Sequence, residues 1–259
     1  MSTLEAAQEP RRLLEVTDHV LEILRRGGAD LSQLGMPAPA DEDRGELWED
    51  VAVPQASARA LAWRNSMREA AHDDYLKWRF ADLDANQHPK VLRGWLNSLV
   101  EAKRHGARPT TMHLIAPGNI GTGKTTALAA LGNEASEQGL LVRFIKHATY
   151  LTWRRPDGGP GDMTAYTVRK RHVEADLLVL DELCGEMDSV ATEFARRETV
   201  DLIDSRLSAG RPTAFSTNLR RGSIAAVLGE RLLSRIEDRA YLVKITGPDR
   251  RTPRKPLDW

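Results

Sequence analysis

Apolar and polar positions along this chain alternate between two rhythms. Short apolar runs at Met112–Ala116, Leu141–Lys146, Asp176–Asp181, Arg211–Thr217 and Tyr241–Thr246 read as strands, and their near-continuous hydrophobicity suits a sheet covered on both faces. Stretches of helical spacing lie between them, at Thr125–Glu137, Thr192–Ala209 and within Ile224–Asp238. Strand and helix in turn predict a parallel α/β sheet with helices on both sides. One connection breaks the rhythm: a polar segment from about His147 to Glu174 is long for a plain link, which hints at function or mobility.

Upstream, the pattern is helical without strands. Leu13, Leu14, Val16, Val20, Leu21, Ile23 and Leu24 give Arg11–Arg26 one broad apolar face, closed by Gly27-Gly28. Such a helix either packs on its own domain or docks a partner. Residues 29–55 are rich in Pro, Asp, Glu and Gly and read as a linker. A second helical stretch, Ser57–Arg79, carries Leu61, Trp63, Met67, Tyr75, Leu76 and Trp78, with its pattern interrupted at His72-Asp73-Asp74. A third, Lys90–His105, places Val91, Leu92, Trp95, Leu99 and Val100 on one side. The expected organisation is a docking and linker region at 1–55, a helical lead-in at 56–108, a core at 109–251 and a tail at 252–259.

Composition narrows the function. The 259 residues balance 37 basic against 37 acidic side chains, so nucleic-acid binding would need a local patch. The single cysteine, Cys184, excludes an internal disulfide and a Cys-cluster zinc site, and fits a reducing, cytoplasmic setting. No apolar run reaches the length of a membrane span, and the first residues lack a basic-then-apolar signal layout.

The chemistry is concentrated in Gly118-Asn119-Ile120-Gly121-Thr122-Gly123-Lys124-Thr125-Thr126. This matches the G-x-x-x-x-G-K-[ST] phosphate loop, set between a strand and a helix as that loop requires. Glycines let successive backbone N–H groups face phosphate oxygens, and the opening helix adds its positive dipole end. Lys124 would reach the β- and γ-phosphates of ATP, and the Thr125 hydroxyl would ligate Mg2+. The strand Leu177–Leu180 ends in Asp181-Glu182, which puts two carboxylates at the sheet edge beside the phosphates. Asp181 would hold Mg2+, and Glu182 would act as general base on water. Arg211–Thr217 ends in Asn218, an amide suited to orient that water, and Arg231 and Arg235 share one helix face. Trp153-Arg154-Arg155 and Arg169-Lys170-Arg171 lie in the long polar connection, where aromatic and basic side chains suit single-stranded DNA.

In their order and spacing, the phosphate loop, Leu177–Glu182, Arg211-Pro212-Thr213 with Thr217-Asn218, and Gly229-Glu230-Arg231 through Arg235 resemble the DnaC/IstB family of AAA+ ATPases. The resemblance covers about residues 80–251. It implies an AAA+ core with sheet order 5-1-4-3-2, no C-terminal lid, and assembly through ATP sites shared between subunits. It assigns Asn218 as the first sensor, Arg235 as an arginine finger with Arg231 beside it, and Arg250 or Arg251 as a late arginine near the nucleotide. It also implies one of two roles: loading a replicative hexameric helicase onto single-stranded DNA, or helping a transposase select duplex target DNA. The acidic linker favours the loader, with the helix around Leu13–Leu24 as its helicase contact. Turnover by the isolated chain is expected to be low, because the finger comes from a neighbour. A metabolite kinase is the reading from another class, and it leaves Asn218 and Arg235 without a role.

Overall fold

The structure, a computed structural model, describes residues 49–185 and 192–251. The expected docking helix at 11–26, most of the linker and the tail at 252–259 lie outside the described residues. Five parallel strands form one sheet: β1 (His113–Pro117), β2 (Val142–Lys146), β3 (Leu177–Asp181), β4 (Thr213–Thr217) and β5 (Ala240–Leu242). Their spatial order is β2-β3-β4-β1-β5, the arrangement that the family resemblance implies.

Side chains alternate across each strand, and this splits the core in two. Leu114, Ala116, Val142, Phe144, Leu177, Val179 and Ala214 face one layer. Against them pack α1 (Glu49–Glu69), α2 (Pro89–Arg104) and α3 (Lys124–Glu137), through Trp63, Met67, Leu92, Trp95, Leu128 and Leu131. Ile115, Ile145, Leu178, Leu180 and Phe215 face the other layer. There they meet α4 (His147–Trp153), α5 (Ala165–Val173), α6 (Glu193–Ser208), α7 (Arg221–Leu228) and α8 (Glu230–Glu237).

Four boundaries differ from the sequence expectation. The stretch expected as one helix over Ser57–Arg79 ends at Glu69. Ala71 takes the left-handed conformation there, with His72 N–H bonded to Met67 O at 2.8 Å and Ala71 N–H to Arg68 O at 2.9 Å. That is a Schellman closure, and it turns the chain back through three short 3-10 turns, Asp73–Lys77, Phe80–Asp82 and Ala85–Gln87. The polar connection after β2 is not an open loop but α4 and α5, which bury Tyr150, Leu151 and Val168. Gly229 divides the last helical stretch into α7 and α8. β5 is shorter than expected, although Val243 and Ile245 still donate to Ile115 O and Pro117 O of β1 at 2.8 Å.

Register sets the site. Lys146 pairs with Asp181 across β2 and β3, and Pro117 with Thr217 across β1 and β4. The C-terminal ends of β1, β3 and β4 therefore stand side by side, where parallel α/β sheets place their ligands.

Candidate functional site

A cleft of about 950 Å3 opens over that edge. Its floor is the loop leaving β1. Gly121 and Gly123 have φ of +80° and +87°, backbone that L side chains rarely adopt and that turns N–H groups into a concave nest. Helix α3 begins at Lys124, so its N-terminal N–H groups and dipole converge on the same point. Lys124 Nζ folds back to donate to Gly118 O at 3.0 Å and Asn119 O at 2.8 Å. Ile120, Gly121, Gly123, Lys124, Thr125 and Thr126 all line the cleft.

β3 and β4 supply the acids and the amide. Asp181 is fully buried, with Oδ2 accepting from the Thr125 hydroxyl at 2.9 Å and Oδ1 from the Ser216 hydroxyl. Glu182 lines the cleft with a half-exposed carboxylate, and Lys146 Nζ approaches its Oε2 at 3.6 Å. Asn218, just after β4, lines the cleft and is exposed. The loop and strand ends thus bring together six of the predicted loop residues with Asp181, Glu182, Asn218 and Arg251.

The electrostatics favour an anion. Burial lowers the Lys124 ammonium from its ordinary value; Asp181 and Glu182 oppose this and the positive charge of Arg251 adds to it. Burial raises the Asp181 carboxyl, against the hydrogen bonds from Ser216 and Thr125. A phosphate between Lys124 and Arg251 would stabilise both cations. Thr125 and Asp181 present adjacent hard oxygen donors, which fit Mg2+.

Several lining residues escape sequence reasoning. Asp74, Tyr75, Lys77, Trp78, Asp82, Asp84 and Gln87 form the far wall, built from the turns after α1. Polar residues on α3 hold that wall: Asn133 Nδ2 donates to Tyr75 O at 2.9 Å and to Trp78 O at 2.8 Å, and Glu134 accepts from Phe80 N–H at 2.8 Å. Arg250, the alternative late arginine, is engaged with protein. Its Nε donates to Thr122 O at 3.0 Å, and its guanidinium reaches Asp84 and Asn86. Arg251 is the late arginine whose charge bears on Lys124.

The remaining predicted residues lie elsewhere. Arg231 and Arg235 sit on α8 and do not line this cleft; Arg235 is ion-paired with Asp204 of α6. Of the DNA candidates, Arg154 Nε bonds Glu198 at 2.7 Å, Arg169 clasps Asp201 and Ser205, and Arg171 bonds Glu69 at 2.8 Å. Trp153 packs on the second core layer. Arg155 and Lys170 remain exposed, with the Arg155 guanidinium 5.9 Å from the Phe194 ring. Apolar and acidic neighbours therefore claim four of the six side chains expected to face DNA, a competition that a linear pattern cannot reveal.

No protein-family model matches the chain. Over 147 residues it is 27% identical to the replicative helicase loader DnaC of Escherichia coli K12, a match that spans 55% of this chain and 58% of that protein. An uncharacterized E. coli K12 protein, YdaV, is 29% identical over 119 residues, 46% of each chain. Among solved structures, a DnaC helicase loader superposes with a TM-score of 0.54 at 20% identity, covering 67% of this chain and 99% of that one. DnaI gives a TM-score of 0.53 at 22% identity, covering 69% and 93%. The replication initiator DnaA bound to AMPPCP and single-stranded DNA gives 0.53 at 21% identity, covering 66% and 50%. The chain is thus similar in sequence, over about half of its length, to a DnaC helicase loader, spans little more than half of that relative, and shares its fold with the solved DnaC and DnaI structures.

Proposed function

We propose that the chain hydrolyses ATP with Mg2+ and uses the cycle to load a replicative DNA helicase onto single-stranded DNA. The convergence of Lys124, Thr125, Glu182 and Asn218 on one cleft carries this reading. Lys124 would exchange the carbonyls of Gly118 and Asn119 for phosphate oxygens. Thr125 and Asp181 would hold Mg2+, which neutralises charge on the transferring phosphoryl group. Among the described residues no group of three or more His, Cys, Asp or Glu is placed to hold a metal. The nucleotide would therefore complete the cation's shell. Asn218 would orient water in line with the γ-phosphorus, and Glu182 would take its proton as the bond to the β–γ bridging oxygen breaks.

Partners follow from the rest of the chain. Arg235, with Arg231 beside it, would reach the nucleotide of a neighbouring subunit. Arg155 and Lys170 are the exposed basic residues left for DNA, and DnaA bound to single-stranded DNA shares this fold. The apolar face of Leu13–Leu24 would contact the helicase. Size-exclusion chromatography with light scattering tests the proposal, with the chain mixed with its source's replicative helicase under ADP and under an ATP analogue. A stable complex that changes with nucleotide is the expected result. No complex under either nucleotide, with assembly on duplex DNA instead, would replace the loader by the transposition helper.

A further inference from the structure

Ser216 has no part in the sequence motifs, yet its hydroxyl touches both halves of the Asp181-Glu182 pair. It stands fully buried near the end of β4, beside Ala116 of β1. Its O–H donates to Asp181 Oδ1, and its Oγ accepts the Glu182 backbone N–H at 2.9 Å. A serine hydroxyl has one proton and two lone pairs, so both bonds form without conflict. With Oδ1 engaged, Asp181 presents Oδ2 to Thr125.

The second bond matters because of the backbone it meets. Glu182 has φ +55°, a left-handed conformation that a non-glycine residue adopts only against a steric penalty. Such a conformation persists when its surroundings over-determine it. Here the end of β4 does so. Leu183 N–H donates to Ser216 O at 2.8 Å, and Thr217 Oγ1 donates to Leu183 O at 3.1 Å. Those two bonds secure the turn, while the Ser216 hydroxyl is the group that connects the turn to the Asp181 carboxylate.

We infer that Ser216 is a positioning residue for hydrolysis. It fixes which Asp181 oxygen faces Thr125 and, through the Glu182 amide, where the water-activating carboxylate points. It lies at the lining of the cleft with its side chain buried, and its hydroxyl is spent on Asp181 and Glu182. This inference rests on the ATPase reading, so its test is arranged to separate the two.

The experiment measures ATP affinity in EDTA and in Mg2+, together with kcat, for the full chain as wild type, S216A and S216T. E182Q serves as the hydrolysis-dead control. In S216A, kcat should fall about 10–100-fold and the gain in ATP affinity on adding Mg2+ should shrink, the usual cost of losing a supporting hydrogen bond behind a metal ligand. ATP affinity in EDTA should stay within about threefold of wild type, because Lys124 and the loop N–H groups are untouched. S216T keeps the hydroxyl and should recover most of both losses. A kcat and a Mg2+ gain unchanged in S216A would overturn the inference. So would an affinity loss in EDTA as large as the loss in kcat, or an S216T as impaired as S216A. Should S216A fail to fold by circular dichroism, S216C replaces it: slow turnover with thiol and normal turnover with threonine supports the role, and equal rates refute it. Wild-type chain with no more turnover than E182Q would instead defeat the ATPase reading, while the Mg2+ gain in ATP affinity would still decide the role of Ser216.

Discussion

Three buried histidines make stability depend on pH in a direction the structure fixes. His147 accepts the Cys184 N–H on Nδ1 at 3.3 Å, and its Nε2 meets Thr199 Oγ1 at 2.8 Å. The Thr199 hydroxyl already donates to Ala195 O, so Nε2 carries the proton and Nδ1 has no room for another. Among the described residues His113 has no hydrogen-bond partner on either ring nitrogen, and His172 has none on Nε2. Burial pulls His113 and His147 down to about 4 and His172 down to about 3. Unfolded imidazoles protonate near 6.5, so the unfolded state binds more protons as the pH drops below that value. Stability is therefore complete above about pH 6.5 and declines toward pH 4. By pH 5, before most carboxylates titrate, each histidine should have cost on the order of 1–2 kcal/mol. Thermal melts at pH 7, 6 and 5 should show a falling Tm, and a flat profile would contradict the assignment. Arg206 raises a different issue, since it is fully buried and, among the described residues, no acid is bonded to it. Burial lowers it to about 9, still charged at neutral pH. Its guanidinium serves Thr213 Oγ1 and the carbonyls of His172, Val173, Ala175 and Pro212, joining α5, β3 and β4 at their bases. R206L would orphan several acceptors at roughly 1–3 kcal/mol each, a large part of a domain's stability. A collapse of the urea midpoint is expected, and R206K should not restore it, because an ammonium cannot span that fork of acceptors.

Helix α3 joins the loop to the far wall of the cleft, and Asn133 is where the two meet. Its side chain receives the Trp63 indole N–H at 2.6 Å while donating to Tyr75 O and Trp78 O. Gly132 beside it leaves room for the indole, since a Cβ there would lie 2.2 Å from the Trp63 ring. N133L should cost about 2–3 kcal/mol by leaving buried polar groups unpaired. It should also weaken ATP binding about tenfold with kcat at saturation nearly unchanged, as expected of a wall that would contact nucleotide equally in ground and transition states. Urea titration and a fluorescent-nucleotide titration check the two parts, and unchanged affinity would remove Tyr75 and Trp78 from the site. This element also marks how far sequence reasoning reached. The strands, the loop and Asp181-Glu182 were legible because their signals are local: an apolar run, a glycine spacing, a carboxylate at a strand end. The 3-10 wall was not, because its residues look like a fading helix until Ala71 reverses the chain. Ser216 was hidden for a related reason, since its meaning appears only when β3 and β4 are placed in register. The same holds for Arg154, Arg169 and Arg171, whose acidic partners lie on α1 and α6, distant in sequence.

At the scale of the whole molecule, the proposed assembly would complete the cleft from a neighbouring subunit. The cleft holds Lys124, Arg250 and Arg251 but neither arginine of α8. Leu232, Leu233 and Ile236 bury one side of that helix, which leaves Arg231 exposed and Arg235 against Asp204. The two side chains of that ion pair are 37% and 31% exposed, although the Asp204 oxygen that meets Arg235 is buried. On the proposed shared-site reading, a γ-phosphate on an adjoining subunit would therefore have to offset leaving that oxygen unpaired. A head-to-tail interface of this kind gives every subunit one intact half of two different sites. R235A and E182Q subunits are then each inactive alone for opposite reasons. An R235A subunit keeps its base and lacks a neighbour's arginine, while E182Q supplies the arginine and lacks the base. Mixed in equal amounts, about a quarter of the interfaces would join an intact Glu182 to an intact Arg235, so ATP turnover should return to about a quarter of the wild-type rate. A double variant carrying both changes on one chain, mixed with itself, should stay inactive. Mixtures that never exceed their components would mean that Arg235 serves its own subunit or none, and the shared-site assembly would have to be abandoned.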